Sequence, residues 1–262
     1  MPLITHPVRA YFSHWAKAGN RHGVHSPFVY HLIAEVLRVP TKASEFAAVE
    51  KLRHQLRRRK DCINVTDLGA GSRHLRGDRR RIGSIASSAL KPRRQAEQLA
   101  RIANHFKPAT IVELGTSLGI TTLYLAQAAP NARIHTVEGC PATAQVALNN
   151  FHLLQADNIT LHTGPFQDQL PRVLAALDRL DMAYIDGHHA KEPTLQYFNQ
   201  CLAKAHNDTV FIFDDIHWSQ GMEEAWALIK VHAQVTVTID LFHFGIVFLR
   251  REQAKQHFRL RY

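Results

Sequence analysis

The sequence predicts an α/β protein, a doubly wound and mostly parallel sheet of seven strands with a helical extension at its N-terminal side. Two observations carry that prediction. After Lys91, short runs rich in Val, Ile and Thr alternate with longer stretches of helical periodicity, the pattern of successive β-α units. Two stretches, "VTDLGAGS" (65–72) and "VELGTSLG" (112–119), also place an acid and then glycines after an apolar run, the form of a strand that closes in a glycine turn.

The extension, residues 1–90, reads as helical. Val8, Tyr11, Phe12 and Trp15 fall at i, i+3, i+4 and i+7, which predicts a helix whose aromatic stripe docks on the main domain. Val29, Leu32, Ile33, Val36 and Leu37 repeat the spacing. Ser26 before Pro27 has the form of an N-cap followed by proline at the first helical position, so the second helix starts near Pro27. A third helix is predicted over 44–59, with Val49, Leu52 and Leu56 on its inner side.

The domain over 91–262 opens with a helix from Arg93 to Phe106. The runs "TIVEL", "RIHTVE", "NITLHT", "DMAYID", "TVFIFDD", "QVTVTIDL" and "FGIVFLR" then read as strands, separated by helical stretches except before the last. Right-handed crossovers make the sheet parallel, and the final strand, reached through a short "FHF" turn, inserts antiparallel. In such a sheet, ligands bind beyond the carboxyl ends of the strands.

Composition excludes several classes. With 262 residues and 45% hydrophobic content, a disordered or fibrous chain is excluded. The first residues lack the apolar run of a signal peptide, and no stretch of about 18 apolar residues exists to span a membrane. Cys62, Cys140 and Cys201 are widely spaced and show no CxxC pattern. The expectation is a soluble, cytoplasmic protein. The net charge of +10 is concentrated: residues 51–94 hold 14 Lys and Arg against Asp61, Asp67 and Asp78. That segment is a solvated basic face or a surface for an anionic partner.

Context separates the two glycine stretches. A nucleotide-binding turn needs a buried strand before it, a helix after it and a second strand ending in an acid about 20 residues later. "VELGTSLG" meets each condition, with Glu138 as the acid at the end of "HTVE", able to accept two hydrogen bonds from a ribose diol. "VTDLGAGS" is followed by "RHLRGDRRRIG", too basic and glycine-interrupted for a packed helix, and reads as a bend into the basic segment, lid-like or substrate-facing. The order Glu113-Leu-Gly115-Thr-Ser-Leu-Gly119 is not the GxGxxG of a dinucleotide fold. An acid before the first glycine opposes a pyrophosphate and suits a ligand with a cationic amino acid end.

With those features the chain resembles the class I S-adenosylmethionine-dependent methyltransferases, a Rossmann-like fold, and within them the catechol O-methyltransferase-like group. The resemblance runs from about Lys91 to Arg250 and rests on five motifs in order: "VELGTSLGITTLYLA", "ARIHTVEGCP", "ITLHTGPFQDQLPRV", "LDMAYIDGHH" and "TVFIFDDI". "RHGVHSPFVY", "DLGAGS" and "HWSQGMEEAW" are similar to a bacterial branch of these enzymes.

The resemblance implies a cofactor site of Glu113, Gly115, Thr116, Ser117, Gly119 and Thr121 around the methionine end, Glu138 and Gly139 at the ribose, Gly164, Phe166 and Gln167 at the adenine, and Asp186 beside the methyl donor. Metal-dependent members carry Asp, Asp and Asn as Mg²⁺ ligands where this chain has Asp186, Asp214 and Asp215, so Asp215 departs from the pattern. His189 stands where those enzymes have a lysine base, and His189, Asp186 and His217 form the candidate catalytic set.

The function implied is O-methylation of a small hydroxylated molecule, with S-adenosylmethionine as cofactor and Mg²⁺ as an optional one. Two alternatives stand beside it. One is an RNA methyltransferase that holds nucleic acid with residues 51–94, against which counts "DGHH" in place of an asparagine-proline-proline-aromatic motif. The other is a cofactor-binding module without catalysis. A homodimer is compatible with the sequence.

Overall fold

The computed structural model describes residues 6–20, 23–42, 44–66 and 78–261. In chain order the elements are α1 (His6–Lys17), α2 (Pro27–Leu32) running into a π-helical turn (Ile33–Leu37), α3 (Ala47–Arg58), β1 (Cys62–Asn64), β2 (Arg79–Arg81), α4 (Ile82–Ser88) and α5 (Arg93–Phe106). The β-α alternation follows: β3 (Thr110–Leu114), α6 (Ile120–Ala128), β4 (Arg133–Glu138), α7 (Pro141–Leu153), β5 (Ile159–Thr163), α8 (Phe166–Ala175), β6 (Leu180–Ile185), α9 (Lys191–Leu202), β7 (Ala205–Asp214) and α10 (Gln220–Val231). The chain ends in β8 (Val237–Asp240), β9 (Phe244–Phe248) and β10 (Gln256–Arg259). The predicted α/β class holds, with eight strands from β3 to β10 rather than seven. Two compact units divide the chain: Ala34–Val173, and Met1–Ile33 with Leu174–Tyr262.

In the unit Ala34–Val173, β3, β4 and β5 pair in parallel and in that order. α6 is buried from Ile120 to Ala126, so it is enclosed all round rather than on one stripe. Its neighbours are apolar side chains of α3 (Val49, Leu52, Leu56) and α7 (Val146, Ala147, Phe151) in one core cluster. A buried polar link adds direction to that packing: Arg53 Nε donates to Glu50 Oε1 at 2.7 Å, and Tyr124 donates its hydroxyl to the same oxygen at 2.7 Å. Arg53 also donates to the Lys91 carbonyl at 2.6 Å. One member of the basic segment is thus an internal tie, 1% exposed, while Arg57, Arg58, Lys60, Arg79 and Arg81 are exposed.

β1 and β2 form a short antiparallel pair, and the glycine stretch between them, with Asp67 and Ser72, lies outside the described residues. Its entrance is described. Thr66 donates its N–H to Cys140 Sγ at 3.3 Å, so the stretch departs beside the turn that follows β4.

In the other unit the strand order is β10-β8-β9-β7-β6. β6 and β7 are parallel, β9 inserts antiparallel between β7 and β8 as the short turn predicted, and β10 adds a parallel edge to β8 that the sequence pattern did not announce. Ser26 caps α2 as expected, accepting the Val29 N–H at 3.3 Å. The face of α1 is reversed from expectation. Val8, Tyr11, Phe12 and Trp15 are exposed at 44 to 64%, and the buried positions are Ala10 and His14. The reason is polar anchoring: His14 Nε2 lies 3.1 Å from the Leu260 carbonyl oxygen and its ring faces Asp240, which turns the aromatic stripe outward. Among the described residues, no helix is long and apolar enough to cross a membrane.

Candidate functional site

β3 ends in a turn built for close approach. Gly115 (φ 100°), Ser117 (φ 49°) and Gly119 (φ 80°) take left-handed conformations in the five residues that lead into α6. Glu113 is fully buried, and its Oε2 accepts the hydroxyls of Thr122 at 2.5 Å and Thr136 at 2.6 Å. Thr136 has spent its one hydrogen there, so the Thr116 hydroxyl, 2.6 Å away, donates to Thr136. This chain ties strand end, turn and helix start to the facing residue of β4, since Glu113 and Thr136 are register partners. Asn150 of α7 braces the turn from below, donating to the Leu118 carbonyl at 2.8 Å. Thr122, Thr136 and Asn150 were not read from the sequence; only the burial of their hydroxyl and amide groups reveals them.

The end of β4 meets the same turn. Glu138 Oε2 accepts the Ser117 N–H at 2.8 Å and Oε1 accepts the Cys140 N–H at 3.0 Å. Its main-chain oxygen accepts the Gly164 N–H at 2.9 Å. Glu113, Gly115, Thr116, Ser117, Gly119, Glu138, Gly139 and Gly164 are therefore gathered at one edge of this unit, with Thr121 buried in the first turn of α6. Phe166, half-buried, and Gln167, exposed, open α8. Phe166 is not a core aromatic.

The strand ends of the other unit carry acids, histidines and strained backbone. Asp186 follows β6; it accepts the Tyr184 hydroxyl at 2.9 Å and lies 3.8 Å from His189 Nε2. His188 (φ 61°), His189 (φ 40°) and Asp215 (φ 50°) are left-handed without being glycine, a conformation that costs about 1–3 kcal/mol each and clusters at functional sites. His188 Nδ1 is 2.5 Å from the Tyr197 hydroxyl, whose pKa burial pushes up to about 12, so Tyr197 stays protonated. Asp214, 1% exposed, closes β7 opposite Phe244.

His217 is differently placed from His189. It is 7% exposed, with Nδ1 2.9 Å from Glu223 Oε1 and Nε2 3.0 Å from Asp240 Oδ2. Both ring nitrogens are engaged, so it offers no open site for a substrate proton. Burial works against the charged forms of this group, but Asp240 and Glu223 outweigh it and raise the His217 pKa. For Asp240, burial acts upward and is overcome by His14 and His217, which hold the carboxyl well below the usual range.

Asp186, Asp214 and Asp215, the three acids expected to hold Mg²⁺, stand at or just beyond the ends of β6 and β7. Among the described residues, the one group of three His, Cys, Asp or Glu side chains with ligand atoms within 4.8 Å of one another is His14, His217 and Asp240.

Known proteins place this architecture. Residues 112–216 match the family model of a methyltransferase domain. Among curated relatives, a catechol O-methyltransferase of Niastella koreensis is 30% identical over 125 residues, 47% of this chain and 56% of that protein. One of Mycobacterium tuberculosis is 29% identical over 124 residues, 47% of this chain and 54% of its own. The chain thus spans about half the length of the curated relatives it matches. An O-methyltransferase from Bacillus cereus, solved in complex with SAH, has the same fold at a TM-score of 0.56 and 17% identity, covering 84% of this chain and 96% of that one.

Proposed function

We propose that this chain is an S-adenosylmethionine-dependent methyltransferase that methylates a hydroxyl of a small molecule. The observation that carries the reading is the state of Glu138. Its two oxygens accept the Ser117 and Cys140 N–H groups, which fixes the carboxylate at the end of β4 beside the glycine turn, where a ribose diol would meet it. The left-handed turn from Gly115 to Gly119 stands beside Glu138 through the Ser117 N–H, and Phe166 with Gln167 would flank the adenine. When bound, S-adenosylmethionine supplies a methyl group on a sulfonium, ready for direct displacement. The protein's task is then to align the acceptor oxygen and remove its proton.

His189 is the proposed base. Its Nε2 faces Asp186 at 3.8 Å, so a proton taken from the acceptor would be held as an imidazolium beside a carboxylate. We propose that residues 91–262 form the catalytic domain and that residues 1–90 lie on the substrate side, a view supported by Thr66 entering the glycine stretch next to Cys140.

Calorimetry tests the cofactor. Wild type should bind S-adenosylmethionine, and Glu138→Ala should bind it at least about tenfold more weakly, the loss of one or two good hydrogen bonds. No binding by wild type would sink the proposal. A methyl-release screen on hydroxylated small molecules tests the base: His189→Gln should lose about 10²–10⁴ in kcat while keeping wild-type cofactor affinity. Turnover on RNA alone, abolished in Arg79→Ala/Arg81→Ala, would transfer the activity to the nucleic-acid reading.

A further inference from the structure

We propose that His14, His217 and Asp240 form a binding site for one divalent ion of the Zn²⁺ class, separate from the proposed cofactor turn and resting on no assumption about activity. The three residues stand 226 positions apart at the extremes of the sequence, on α1, on the turn before α10 and at the end of β8, and all lie in one unit. They are 5%, 7% and 4% exposed.

Tautomers decide what the cluster can hold. His14 Nε2 is 3.1 Å from the Leu260 carbonyl oxygen, which can only accept, so Nε2 carries the hydrogen. Its Nδ1 then faces Asp240 Oδ1 at 3.2 Å; it is buried and makes no hydrogen bond, so it is aimed beside the carboxylate rather than at it. His217 Nδ1 is 2.9 Å from Glu223 Oε1, again an acceptor, so this nitrogen carries the hydrogen and Nε2 is directed at Asp240 at 3.0 and 3.2 Å. As neutral rings the two histidines would turn lone pairs toward a carboxylate. A positive charge among them would meet both lone pairs and the carboxylate.

Two protons or one divalent ion would supply that charge. Asp240 and Glu223 are negative and Arg259, 3.3 Å from Asp240 Oδ2, is positive, so either choice leaves the same total. The geometry admits the ion. Ligand atoms about 2.1 Å from a tetrahedral zinc ion stand about 3.4 Å from one another; Asp240 Oδ1 stands 3.2 Å from both His14 Nδ1 and His217 Nε2, and one ligand atom from each of the three residues lies within 4.8 Å of the others. The outer partners are those a metal-bound histidine uses: a backbone carbonyl for His14 and a carboxylate for His217, each holding the remaining N–H and fixing the ring. An ion there would fasten α1 to the strands of its own unit without a core of its own.

The test uses the full chain stripped of metal and titrated with Zn²⁺. One Zn²⁺ per chain should bind, the melting temperature should rise with Zn²⁺ concentration, and His217→Gln should lose that equivalent. Because this variant removes a buried contact and could fail to fold, Glu223→Gln is the second arm: Glu223 is not a ligand, and its loss should weaken Zn²⁺ binding about 10–100-fold at unchanged stoichiometry. Absence of a stoichiometric site in wild type, or an affinity equal in wild type, His217→Gln and Glu223→Gln, overturns the proposal and leaves a protonated histidine pair.

Discussion

Gly119→Ala is expected to destabilise the protein by about 2–5 kcal/mol and to abolish binding of the proposed cofactor. Two costs add. At φ 80° the residue lies in the left-handed region, where a Cβ costs about 1–2 kcal/mol. An added Cβ would also lie 2.5 Å from Phe151 Cε1 and 2.8 Å from Cζ, and Phe151 is 3% exposed in the core against α6, so its ring has no free path away. Overpacking of this kind costs about 1–3 kcal/mol. The sequence supports Gly119 only as room for a ligand, whereas its neighbours make it equally the contact point of two helices. The double variant Gly119→Ala/Phe151→Leu separates the terms, because it relieves the collision and keeps the strain. Urea midpoints at constant m should place it above the sum of the two single losses. A Gly119→Ala protein within about 0.5 kcal/mol of wild type, the scale of an ordinary surface change, would refute the packing argument.

What could be read from the chain and what could not differ in physical kind. Ser26 before Pro27, the acid at the end of β4 and the antiparallel β9 after a short turn are local signals, and each is found where the pattern put it. The glycine turn was legible because its conformation needs residues without a Cβ. Thr122, Thr136 and Asn150 were not legible: they act through hydrogen bonds spanning 9 to 32 positions, and no spacing rule connects them to Glu113 or Leu118. The stripe on α1 misled because hydrophobic periodicity says which residues share a face but not which face is buried, and His14 settled that. β10 was missed because "QHFR" has no apolar alternation, its burial being only partial. His217 looked like a companion to His189 because each follows the end of a predicted strand, yet its ring is spent on Glu223 and Asp240.

Glu113 permits the sharpest separation of two roles. By resemblance its carboxylate faces the charged end of the cofactor; by geometry it is the acceptor on which Thr122 and Thr136 converge, with Thr116 behind them. Glu113→Ala removes the acceptor, leaves buried hydroxyls unpaired and opens a cavity under the turn, so about 3–5 kcal/mol of stability should be lost along with cofactor binding. Glu113→Gln keeps an oxygen of the same reach, and the threonine hydroxyls can rotate to accept from its amide. We expect that variant to lose about 1–2 kcal/mol and no more than about tenfold in cofactor affinity, which is one increment of about 1.4 kcal/mol. Unfolding midpoints and calorimetric affinities measured together decide between the roles. If Glu113→Gln keeps wild-type stability while binding vanishes, the negative charge acts on the ligand itself; if stability and affinity fall in step through the series, the acid works by holding the turn in shape. The 0% exposure of Glu113 and its position against Thr136 across the β3–β4 ladder favour the second outcome.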